Sequence, residues 1–141
     1  MNLSVSTRPS SAMPHQSKSS FWRSLRVALI GAATVLRTER NAQIEGIIAL
    51  LAIGLGLWLK VSGPEWAIIF TLIALVLGLE MVNTAIEAVV DLAHPALHPL
   101  AKKAKDSAAG AVVLSAIVSV AVGLVIFLPR LWPIVLDWLH L

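Results

Sequence analysis

The stretch WAIIFTLIALVLGLEMVNTAIEAVV, Trp66 to Val90, decides the fold. It holds two charged residues, Glu80 and Glu87, in an otherwise apolar run. About 20 apolar residues in a helix cross the hydrocarbon of a bilayer. The stretch therefore reads as a transmembrane helix carrying two carboxylates. A carboxylate in hydrocarbon costs a few kcal/mol, so each is a functional candidate. At 100° per residue Glu80, Thr84, Glu87 and Asp91 share one helix face, with Asn83 beside them. Glu80 and Glu87 stand about 10 Å apart along the axis.

Two further apolar runs flank this one. The first extends over about 44–61 and the third over about 107–128, so three spans are expected with the second at about 66–90. Before them, residues 21–38 mix Phe21, Trp22, Leu25, Leu29 and Ile30 with Arg23, Arg26 and Arg37. That pattern predicts an amphipathic helix lying in the membrane interface. Residues 1–20 are rich in Ser and Pro and read as a disordered tail. Residues 132–141 read as an interfacial C-terminal tail. The whole is an all-α integral membrane protein with one domain over 21–131.

Composition agrees. Of 141 residues 57% are hydrophobic and 13% are charged. A soluble chain of this size cannot bury so much apolar surface. The net charge of +3 suits anionic lipid, whereas nucleic acid needs a basic face on a soluble fold. Cysteine is absent, which excludes disulfides, thiolate metal sites and a thiol nucleophile.

Charge also predicts orientation. Arg8, Lys18, Arg23, Arg26, Arg37, Arg40, Lys102, Lys103 and Lys105 fall on one side of the expected membrane, and Lys60 and Arg130 on the other. The first side is expected to be cytoplasmic. Glu39, Glu45, Glu80, Glu87, Asp91 and Asp106 then gather on or near it. Carboxylates and an asparagine at one depth can hold a hard cation such as Mg²⁺ through oxygen. Neighbouring Lys and Arg can hold phosphate. Such a site, open to lipid, points to phosphate chemistry on a lipid. A different reading is a small channel or transporter subunit with Glu80 and Glu87 as a proton or cation relay. The uncharged third span opposes it, since no polar path crosses the outer leaflet. His94 and His98 have helical metal-pair spacing, but Pro95 and Pro99 disrupt a helix there, so no metal role is expected.

The run Glu80-Met81-Val82-Asn83-Thr84-Ala85-Ile86-Glu87, with Asp91, His98-Pro99-Leu100, Lys105-Asp106 and the earlier Thr38-Glu39-Arg40-Asn41, resembles the prokaryotic diacylglycerol kinase family. The pattern is most similar to its undecaprenol kinase branch. The resemblance covers about residues 21–131. It implies a homotrimeric lipid kinase of the bacterial cytoplasmic (inner) membrane, with its N-terminus and active site on the cytoplasmic side. It implies ATP as co-substrate, Mg²⁺ as cofactor, and diacylglycerol or undecaprenol as acceptor. By the same resemblance Glu80 is the catalytic base and Glu39 and Glu87 are metal ligands. Asn83, Asp91, Lys105, Asp106 and Glu45 engage the nucleotide and its phosphates or hold the site. The sequence has neither a Gly-x-x-x-x-Gly-Lys-Ser/Thr loop nor a kinase Gly-rich loop, so carboxylates and basic side chains would have to carry the chemistry.

Overall fold

A computed structural model of the chain describes residues 21–93 and 98–139. The tail expected over residues 1–20 lies outside the described residues, as do His94 and the last two residues. The described residues form four helices: α1 (Phe21–Thr38), α2 (Arg40–Trp58), α3 (Gly63–Ala93) and α4 (Pro99–Trp138). The last three are long and apolar enough to cross a membrane.

Glu39 alone separates α1 from α2, with extended backbone (φ −94°, ψ 120°). Gln43 ties the two helices together, its amide donating to the Arg37 carbonyl at 2.8 Å. α2 ends in a Schellman arrangement. The N–H of Val61 donates to Gly56 O at 3.1 Å and that of Lys60 to Leu57 O at 3.4 Å. Lys60 sits at the left-handed position, φ 52°, where glycine is the usual choice.

The α2–α3 turn then places Ser62 at the start of α3, its carbonyl accepting from Trp66 N at 3.0 Å. Glu65 reaches back to the N–H of Ser62 at 2.7 Å, one half of a capping box. α4 begins at Pro99, a proline at the first helical position, behind His98, whose Nδ1 accepts from Leu100 N at 3.2 Å. Pro99 thus opens a helix rather than breaking one. α4 also does not stop near residue 128. It continues through Pro129 and Pro133 to Trp138 as one helix of 40 residues. Residues 132–138, read from sequence as a separate tail, are its last two turns.

α3 and α4 pack as the main antiparallel pair; α2 lies along α3 and hardly touches α4. The tightest core is at the turn end, where Val61, Ile69 and Ile126 pack with Trp66, Ile73, Val122 and Phe127. Gly56 lets α2 approach there: a Cβ on it would lie 2.9 Å from Cη2 of Trp66. Elsewhere large apolar side chains face outward along all three long helices, such as Leu50 at 70% and Val125 at 74% exposed. Water does not tolerate such a continuous apolar surface, and hydrocarbon does.

Candidate functional site

Glu80 is the centre of the site. It is 3% exposed, in the middle of α3, and Asn83 one turn on is 7% exposed. These two are buried because their face of α3 turns toward α2. There Glu80 meets Asn41, whose side chain hydrogen-bonds its carboxylate, and it feels the negative charges of Glu39 and Glu87. Glu45, a turn further along α2, is close enough for its charge to repel that of Glu80. The expected first span begins near Ile44, with Glu45 at its cytoplasmic start. The structure puts it inside α2, half-buried and opposed to Glu80, because α2 starts already at Arg40.

The side chains around this centre are individually held. Asn83 Nδ2 donates to Glu87 Oε1 at 3.2 Å. Thr84 Oγ1 donates to the Glu80 carbonyl at 3.0 Å. The Thr38 hydroxyl donates to Glu39 Oε1 at 3.4 Å. Among the described residues, the buried oxygens Glu45 Oε2, Glu80 Oε2 and Asn83 Oδ1 have no hydrogen-bond partner. Buried acceptors are normally satisfied, and a missing partner marks a place for an ion, a water or a reacting group.

Among the described residues, no three His, Cys, Asp or Glu side chains are arranged to hold a metal ion. This does not conflict with Mg²⁺. That ion keeps several waters and takes one or two carboxylates together with substrate phosphates. Hard, negatively charged oxygens from Glu39 and Glu87 flanking unpartnered buried oxygens fit it.

At the same end of the bundle, the residues expected to meet phosphate pair differently from their sequence order. Lys105 does not pair with its neighbour Asp106. It crosses to α3 and donates to both carboxylate oxygens of Asp91, at 3.0 and 3.2 Å. Asp106 is taken by Lys102 one turn earlier on α4. Both pairs are substantially exposed, so each contributes little to stability and yields readily to a competing ligand.

An apolar groove of about 320 Å³ runs over α3 between α2 and α4. Ile48, Leu55, Ile73, Ser119 and Phe127 are among its walls, and Glu45 is its charged end. Ser119 and Gly123, small residues four apart on α4, also line this groove.

Asn41 is the site residue that sequence reasoning missed. It stands in the Thr38-Glu39-Arg40-Asn41 run, and its position one helical turn before Glu45 was the available signal.

The chain resembles known proteins over most of its length. The family model described as prokaryotic diacylglycerol kinase matches residues 26–127. An undecaprenol kinase from Bacillus subtilis (strain 168) is 47% identical over 111 residues, 79% of this chain and 90% of that protein. A diacylglycerol kinase from Synechocystis sp. is 40% identical over 109 residues, 77% of this chain and 62% of that protein. A diacylglycerol kinase from Escherichia coli (strain K12) is 35% identical over 99 residues, 70% of this chain and 75% of that protein. The matched region contains α2, α3, most of α1 and the carboxylate cluster around Glu80, and on these grounds the chain belongs to the prokaryotic diacylglycerol kinase family.

Proposed function

We propose that the protein is an ATP- and Mg²⁺-dependent lipid kinase that transfers the γ-phosphate of ATP to the hydroxyl of a membrane lipid, undecaprenol in preference to diacylglycerol. The observation that carries this is Glu80: a carboxylate 3% exposed within an apolar helix, one oxygen unpartnered, ringed by further carboxylates. Family membership supports phosphate transfer to a lipid. The 47% identical undecaprenol kinase supports the acceptor.

Each residue then has a task. Glu80 accepts the proton of the lipid hydroxyl through its free oxygen, while Asn41 orients the carboxylate. Glu45 closes the head of the apolar groove, in which the lipid chain lies with its hydroxyl toward Glu80. Glu39 and Glu87 would hold Mg²⁺, with Asn83 fixing the rotamer of Glu87. When bound, Mg²⁺ neutralises charge on the phosphate oxygens and orients them. Lys105 leaves Asp91 for the nucleotide phosphates, helped by the positive N-terminal end of α4. Asp91 and Asp106 hold the lysines Lys105 and Lys102 in place beforehand.

The same reading assigns the setting. The kinase domain covers residues 21–131 of the cytoplasmic (inner) membrane, with α1 in its inner interface and Arg23, Arg26 and Arg37 toward lipid phosphates. The carboxylate cluster faces the cytoplasm. Three helices are few to enclose ATP and a lipid together, so the working form is a homotrimer. The test is transfer of labelled γ-phosphate from ATP to undecaprenol and to diacylglycerol, side by side in mixed micelles with Mg²⁺. Phosphorylated undecaprenol forming faster supports the proposal. Product from neither lipid, in protein that retains its helical content, refutes it.

A further inference from the structure

At the opposite end of the α3–α4 pair from Lys105 lies a second ion pair that the proposed chemistry does not use. Arg130 Nη1 and Nη2 donate to Glu65 Oε1 and Oε2, both at 2.8 Å, in a bidentate fork. Each member is fixed again by its own helix. Glu65 Oε2 also accepts from the Ser62 N–H at 2.7 Å and its hydroxyl at 2.6 Å. Arg130 Nη1 also donates to the Ile126 carbonyl at 2.9 Å. The pair is more sheltered than its counterpart, with side chains 33% and 22% exposed against 36% and 66% for Lys105 and Asp91.

The spacing of the two pairs is matched. Glu65 and Asp91 are 26 residues apart on α3, and Lys105 and Arg130 are 25 apart on α4. At 1.5 Å per residue the two intervals are about 39 and about 38 Å. Two antiparallel helices with equal spacing between their charged rungs satisfy both pairs in one register only. A slip of one helical turn, about 5.4 Å, breaks both. Between the rungs the contact is largely aliphatic and of small residues, which packs well but discriminates weakly among registers separated by one turn.

We infer that Glu65 and Arg130 are positioning residues: a register lock at one end of the α3–α4 pair that sets where Lys105 stands relative to Glu80 and Glu87 at the other. The Glu65–Arg130 fork dominates because its donors are planar, doubly engaged and partly desolvated, whereas the Asp91–Lys105 pair is exposed to solvent and phosphate. The lock stands on geometry alone; its effect on turnover rests on the kinase reading.

Because the chain has no cysteine, introduced thiols report register without background. Asp91→Cys is combined with Lys105→Cys, or with Ala109→Cys one turn further along α4, and treated with a short bifunctional thiol reagent in micelles. With Glu65 and Arg130 intact, the 91–105 pair links at least tenfold faster than the 91–109 pair. Adding Arg130→Gln lowers that ratio at least tenfold, and Arg130→Lys, which keeps the charge but not the planar fork, retains part of it. Glu65→Gln, which keeps the shape of the side chain, repeats the test if Arg130→Gln does not fold, as judged by helical content. An unchanged ratio in the folded variant overturns the lock, whether or not the protein phosphorylates any lipid. In the chain with Asp91 and Lys105 native, Arg130→Gln lowers kcat for phosphate transfer severalfold at unchanged lipid KM; a change in KM alone overturns the positioning role.

Discussion

Replacing Gly56 by alanine tests the seat of α2 against α3. The added Cβ would lie 2.9, 3.2 and 3.4 Å from Cη2, Cζ2 and Cζ3 of Trp66. The ring must retreat by roughly half an ångström, and Phe70 stands stacked on it at a centroid distance of 5.3 Å. Overpacking of this kind costs about 1–3 kcal/mol. Alanine regains about 0.5–1 kcal/mol over glycine through helix propensity. The net expectation for Gly56→Ala is a loss of about 1 kcal/mol. The sign reverses once the obstacle is gone: in a Trp66→Leu background the same change gains about 0.5–1 kcal/mol. Detergent-titrated unfolding of the four proteins in micelles, followed by far-ultraviolet circular dichroism, measures the cycle. A Gly56→Ala effect identical in both backgrounds would refute the contact as the cause.

The remaining predictions concern the proposed site and assembly. Glu80→Gln should leave helical content and ATP binding intact and lower turnover by about 10²–10⁴-fold, the usual worth of a general base; wild-type-like turnover in the purified variant sinks that assignment. Glu87→Gln should raise the Mg²⁺ concentration at half-maximal activity, and an unshifted titration would remove Glu87 as a ligand. Crosslinking in native membranes should give a trimer ladder, whereas monomer alone would contradict the homotrimer.

How far the molecule could be read beforehand depends on whether a feature is local. Helix identity was legible because length and apolar content alone define a crossing segment, and the mixed arginine and apolar pattern of residues 21–38 set α1 apart. The stripe from Glu80 through Glu87 to Asp91 was legible because it lies on one helix, where spacing fixes direction. What joins different helices was not. The Glu45–Glu80 opposition, the Asn41 bond to Glu80 and the Asp91–Lys105 and Glu65–Arg130 pairs all depend on the rotation and register of one helix against another. No single-chain periodicity carries that information. The length of α4 was misread for a related reason. The expected end near residue 128 follows the uncharged run, whereas Pro129 and Pro133 lie inside a helix that continues through Trp138.

Helix lengths have a consequence for the surrounding lipid. With 19 residues α2 measures about 29 Å, while α3 with 31 measures about 47 Å and α4 with 40 about 60 Å. A hydrocarbon core about 30 Å thick takes up the whole of α2, whereas α3 and α4 extend beyond it. The protein is consequently asymmetric toward bilayer thickness: longer acyl chains outreach α2 first, beside Glu45 at the head of the groove, before they outreach α3 and α4.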